Sequence, residues 1–78
     1  MFTIRIGNKY LKFTSNFGMY HGSAVLTEDA GLAKKYSRKA DAERKAWILT
    51  HQLSQKYNRV TRKNPECAGL SAEVVEID

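Results

Sequence analysis

One stretch constrains the whole chain: residues 37–58, SRKADAERKAWILTHQLSQKYN, the only segment long and periodic enough to be a sizeable helix. Ala42, Ala46, Leu49, Leu53 and Tyr57 recur at three- and four-residue spacing, which places them on one stripe of an α-helix and requires a second layer to bury that stripe. Ser37 is suited to cap the start, with Asp41 and Glu43 close to the positive end of the helix dipole. Asn58 is suited to end it, since asparagine tolerates the left-handed conformation, and Lys56 and Arg59 complement the negative end.

The same spacing turns Trp47, Ile48 and His51 away from the stripe, beside Arg44 and Gln55. A tryptophan there has two explanations. Either a neighbouring loop or short helix covers it, so that the helix is buried on more than one side, or it anchors a partner together with the arginine.

Upstream, Phe2, Ile4 and Ile6 alternate with Thr3 and Arg5, and Leu11 and Phe13 alternate with Tyr10 and Lys12, the two-residue period of half-buried strands. Gly7-Asn8 between them suits a type II′ turn with glycine first. A hairpin closed by that turn sets Ile4 opposite Leu11 and Phe2 opposite Phe13 on the face that receives the helix. On the other face it sets Arg5 across from Tyr10 and Thr3 across from Lys12, leaving that face polar, basic and partly aromatic.

Residues 14–22, TSNFGMYHG, mix turn formers with Phe17, Met19 and Tyr20, so this loop either closes over the core or presents itself outward. Residues 23–26 are apolar enough for a third strand. Thr27 is placed to cap a short helix over residues 28–36, with Glu28 and Asp29 in its first turn, Lys34 and Lys35 in its last, and Leu32, Ala33 and Tyr36 turned inward. Gly31 weakens that helix by about 1 kcal/mol relative to alanine. Asn64-Pro65 and Gly69 make residues 60–71 a loop, and AEVVEI over residues 72–77 is β-branched enough for a last strand, with Val75 and Ile77 on one face. The order β-β-β-α-α-β predicts a single α+β domain over residues 1–78: a small, mainly antiparallel sheet with the long helix across one face and a short helix before it.

A chain of 78 residues buries only about 60% of its unfolded surface, so modest stability is expected. Oligomerisation would add to it, and the sequence leaves the oligomeric state open, a homodimer included. The lone Cys67 has no partner for an internal disulfide and no ligand spacing for zinc, which fits a reducing cytosol. No apolar run approaches the roughly 20 residues that span a bilayer, and the amino terminus lacks the apolar core of a secretion signal. The expectation is a cytoplasmic protein with no membrane partner.

Groups for catalysis are few. His21, His51, Cys67 and scattered carboxylates form no recognised constellation, and a Cys67–His51 nucleophile pair has no local signature. The glycines are isolated, so there is no phosphate cradle and no cofactor follows. The positive signal is basic. Thirteen Lys and Arg against eight Asp and Glu give a net charge of +5. Lys34, Lys35, Arg38 and Lys39 gather between the two helices, Arg44 and Lys45 continue along the second, and Lys56, Arg59, Arg62 and Lys63 follow its end. As phosphate contacts, with Tyr10, Trp47 or Tyr57 stacking on unpaired bases, they would make a nucleic-acid surface. Glu28, Asp29, Asp41, Glu43, Glu73 and Glu76 interrupt the field, and an ordinary solvated helix face accounts for the same residues.

The hairpin FTIRIGNKYLKF, the run LTEDAGLAKKYS ahead of the basic helix RKADAERKAWIL, and the closing AEVVEID together resemble small uncharacterised accessory proteins of bacteriophages. The likeness is one of layout and spans most of the chain. It implies a non-enzymatic protein made early in infection that modulates host machinery or blocks a defence system in the bacterial cytosol, as anti-CRISPR proteins and toxin inhibitors do. Those groups share no site, so no residue role is carried over. On this reading a bacterial host or defence protein, or a nucleoprotein complex, docks on Trp47, His51, Arg44 and Tyr10. The alternative is direct RNA or DNA binding through Lys34, Lys35, Arg38, Lys39 and Lys45.

Overall fold

Alternation in the first fourteen residues produces the expected hairpin in the computed structural model, which describes residues 1–14, 24–55 and 58–77. Strand β1 (Phe2–Ile6) pairs antiparallel with β2 (Lys9–Thr14), Ile6 facing Lys9 and Arg5 facing Tyr10. Of the two turn residues only Gly7 has a positive φ, +62°, the pattern of a type II′ turn and one that glycine enters without strain.

Beyond Arg5 and Tyr10 the two strands part. The Lys34 N–H donates to the Leu11 carbonyl at 2.7 Å, and Phe2 exchanges two backbone hydrogen bonds with Tyr36, at 2.8 and 2.7 Å. Residues 34–36 thus enter the gap as a short extended segment. Phe2 faces Tyr36 there, not Phe13. Thr3 likewise does not sit across from Lys12 on a wet basic face: it is fully buried, and its hydroxyl donates to the Lys34 carbonyl at 2.6 Å.

This insertion also corrects the helix expected over residues 28–36. Only one 3-10 turn forms, Ala30–Leu32, capped by Asp29, whose carboxylate accepts from Gly31 N–H at 2.8 Å. Thr27 accepts from the Asp29 N–H instead of capping a helix. An α-helix through Tyr36 would forfeit the bonds to Leu11 and Phe2, and Gly31 adds little to favour it. Of the three expected inward contacts, Ala33 is buried and Tyr36 half-buried, but Leu32 is 54% exposed.

Strand β3 (Ala24–Thr27) pairs with β2 across an irregularity between Leu11 and Phe13, and β4 (Ala72–Glu76) pairs with β1 from Phe2↔Glu76 to Ile6↔Ala72. Every pairing is antiparallel, in the order β3-β2-β1-β4. Of the loop read over residues 14–22 only Thr14 is described, and it ends β2 instead; the rest of that loop, Ser23 as the start of a strand and Tyr57 as the last residue of the stripe lie outside the described residues.

The long helix α1 spans Lys39–Leu53, shorter at both ends than the periodicity suggests. At its start the chain is still extended at Arg38, held so by the Tyr36–Phe2 bridge, and Arg38 rather than Ser37 is the capping residue, without a side-chain cap. At its end the Thr61 hydroxyl is shared between the Gln52 and Gln55 carbonyls at 3.0 and 2.9 Å, and Gly69 N–H donates to the Leu53 carbonyl at 2.9 Å. These long-range donors satisfy the terminal carbonyls and stop the helix early. Asn58 then begins a helix instead of ending one: its side chain accepts from Val60 N–H at 2.9 Å and caps α2 (Arg59–Lys63). The stretch expected as a loop after α1 therefore holds α2 and a 3-10 turn, Pro65–Cys67. The two helices of the β-β-β-α-α-β order are α1 and this later one.

Ala42, Ala46, Leu49 and Leu53 are buried as expected. Ala46, Leu49 and Leu53 pack with Ile4, Ile6, Leu11, Ala24, Val60 and Cys67 into one core between the sheet and the helices. Burying a leucine in such a site is worth about 1.5–3 kcal/mol relative to leaving it in water.

Candidate functional site

With the inner stripe of α1 committed to the core, Arg44, Trp47 and His51 follow one another along the opposite side, at i, i+3 and i+7, and Gln55 comes just past the end of the helix. Trp47 is 70% exposed. No element among the described residues covers it, so the covering that the first explanation requires is not found there. Its ring lies parallel to the His51 imidazole, centroids 5.9 Å apart and planes within 5°. Gln55 Nε2 and His51 Nε2 are hydrogen-bonded at 3.1 Å, and Asn58 Nδ2 donates to Gln55 Oε1 at 3.4 Å. The tryptophan is thus stacked on a histidine that a short polar chain holds from behind.

Tyr10 does not join this stripe. Its neighbour Leu11 points into the core, so by strand alternation Tyr10 lies on the far face of the sheet from α1, opposite Arg5. Arg5 spans two strands there: its guanidinium donates to Glu73 at 2.9 Å, and that bond, with the Glu73 charge, raises its pKa further. The anticipated four-residue surface is therefore a helix stripe of three, with Tyr10 in a separate sheet-face group.

The basic residues divide as well. Lys34, Lys35, Arg38 and Lys39 are all exposed. Lys45 is half-buried, and burial first, then the nearby charge of Lys34, lowers its pKa. Lys34 also sits 5.6 Å over the Tyr36 ring. Lys39 turns to the other flank of the helix and pairs with Glu43 at 4.0 Å. Arg44, though next to Lys45 in sequence, lies on the outer stripe. What remains is a cationic group around the inserted segment, with Lys34 and Lys45 at its centre.

The hydroxyl of Tyr36, beneath Lys34, is buried without a hydrogen-bond partner among the described residues, and burial, then the Asp41 charge, pushes its pKa up. The sequence offered no signal for this orphan.

Cys67 and His51 are not brought together. Cys67 is a core residue whose thiol is pushed up by burial and then by Glu66, whereas His51 is exposed on the outside of α1. Lys9 and Glu66 pair at 2.9 Å, which raises the lysine pKa and lowers that of the carboxyl. Among the described residues no group of three or more His, Cys, Asp or Glu side chains converges to hold a metal, and no helix is long and apolar enough to cross a membrane. No family model matches the chain, and no curated protein or solved structure matches it either.

Proposed function

We propose that the protein is a non-enzymatic binding protein of the bacteriophage accessory type, acting in the host cytosol to inhibit or redirect a bacterial host or defence protein or nucleoprotein complex. Its anchor is the stripe of Arg44, Trp47 and His51. The observation that carries the reading is the exposed Trp47 stacked on a hydrogen-bonded His51. Tryptophan and arginine are the residue types that dominate interface energetics, and a large aromatic left in water without a covering element adds nothing to the fold. Capture of a single protein from bacterial lysate by tagged protein, retained after nuclease treatment and lost with Trp47→Ala, is the expected result. Capture that disappears with nuclease would overturn it.

A second reading, direct binding of RNA or DNA, is favoured by one observation: Lys45 is held beside Lys34, and among the described residues no carboxylate pairs with either. Like charges brought together in this way gain by an anionic ligand. Lys35 and Arg38 would extend that contact along a phosphate backbone, with Lys39 set apart on the other flank of α1 beside Glu43.

A further inference from the structure

Strand β4 is an open edge of the sheet. Ile77 N–H donates to the Met1 carbonyl, so residues 73, 75 and 77 direct their backbone groups to β1 and residues 72, 74 and 76 direct theirs outward. The outward Ala72 N–H is taken by the Thr50 hydroxyl at 2.9 Å. Val74 and Glu76 have no outward partner among the described residues, leaving two N–H and two C=O groups in a row.

Helix α1 crosses the sheet toward this edge. It starts just after Tyr36, on the far side of β1 from β4, and its last turn reaches the start of β4, where Thr50 meets Ala72. Trp47, one turn before Thr50 on the same flank and exposed, therefore stands near the Ala72 end of the edge, along which Glu73 and Glu76 are exposed.

From this juxtaposition we propose that the partner enters as an extended segment, adding a strand to β4 by main-chain hydrogen bonds at Val74 and Glu76, with Trp47 at its Ala72 end. The segment alternates basic with apolar or β-branched residues, its basic side chains on the face that Val74 and Glu76 share, where one lies opposite Glu76. The inference rests on the reading that a protein docks at Trp47. Charge selects the occupant. A second copy would set two glutamates from each β4 strand, four in all, along one two-stranded ribbon, with only the two Arg5 side chains to offset them. A basic segment meets the same carboxylates favourably.

The probe is an eight-residue peptide alternating lysine and valine, set against a glutamate/valine counterpart and a lysine/valine peptide methylated on every backbone amide. Trp47 is the only tryptophan in the chain, so its emission reports on the site. The lysine/valine peptide should shift that emission to the blue and slow hydrogen exchange at Val74 and Glu76 about tenfold at saturation. The two controls should do neither, and Glu76→Lys should weaken binding about two- to fivefold. A blue shift without slower exchange at Val74 and Glu76 overturns strand addition while the Trp47 anchor stands. No response of either overturns the inference whatever lysate capture shows, because capture lost with Trp47→Ala tests the anchor by itself. Protection of Val74 and Glu76 that grows with protein concentration in the absence of peptide assigns the edge to a second copy and overturns it too.

Discussion

The Thr50 hydroxyl links helix to sheet edge: it accepts the Ala72 N–H at 2.9 Å while donating to the Ala46 carbonyl at 2.8 Å. One side chain thereby satisfies the first outward donor of β4 and fixes α1 over the strand. Thr50→Ala removes a partly buried bond and should cost about 0.5–1.5 kcal/mol, whereas Thr50→Ser should keep most of it. Urea midpoints of the two variants check this, and equal loss in both would mean the methyl group, not the hydroxyl, matters.

Leu49 and Leu53 sit fully buried at the centre of the packed stripe. Leu49→Ala or Leu53→Ala should destabilise the fold by about 2–5 kcal/mol, through lost burial and the cavity left behind. An unchanged denaturant midpoint in both would show that the wrong face had been assigned to the core.

Trp47→Ala should behave in the opposite way. With the ring exposed and stacked on His51, the stability change is expected to stay within about 0.5 kcal/mol while partner capture is abolished with only a modest dependence on salt. Unfolding of this variant would return the tryptophan to the core and remove the anchor.

Tyr36→Phe deletes a buried hydroxyl that has no partner among the described residues and should stabilise the domain by roughly 1 kcal/mol. The wild-type phenol has its pKa raised in the fold, so the neutral form is favoured there and the unfolded chain ionises first. Its contribution is fully present below the unfolded value of about 10 and is lost as pH rises beyond it. Denaturant midpoints across alkaline pH should therefore fall less steeply for Tyr36→Phe than for the wild type.

If the cationic group around Lys34 binds nucleic acid, affinity for a generic single-stranded oligonucleotide should fall with salt at a log–log slope of about −0.7 per phosphate contact. Alanine at Lys34, Lys35, Arg38 and Lys39 should flatten that slope and leave the fold intact, since all four side chains are exposed. A slope that is flat before substitution would exclude this surface as a phosphate track.

The sequence by itself determined the parts of this protein that depend on local period. The three/four spacing from Ala42 to Leu53 and the alternation around Gly7-Asn8 set a buried stripe and a hairpin whatever lies beyond them, because side-chain direction repeats with the backbone geometry. Tertiary structure decided where those elements end. Thr61 and Gly69 stop α1 from residues far along the chain, and Leu11 and Phe2 draw residues 34–36 out of a helix and into the sheet. Such donors and acceptors are paired by proximity in space, which no local pattern encodes. The candidate site divides in the same way. The placing of Arg44, Trp47 and His51 on one side of α1 was legible from spacing, but the bareness of that side depended on which neighbours the fold packs there. The separation of Tyr10 from it follows from the pairing of Tyr10 with Arg5 on the far face of the sheet, and the seating of α1 at the start of β4 from the Thr50–Ala72 bond.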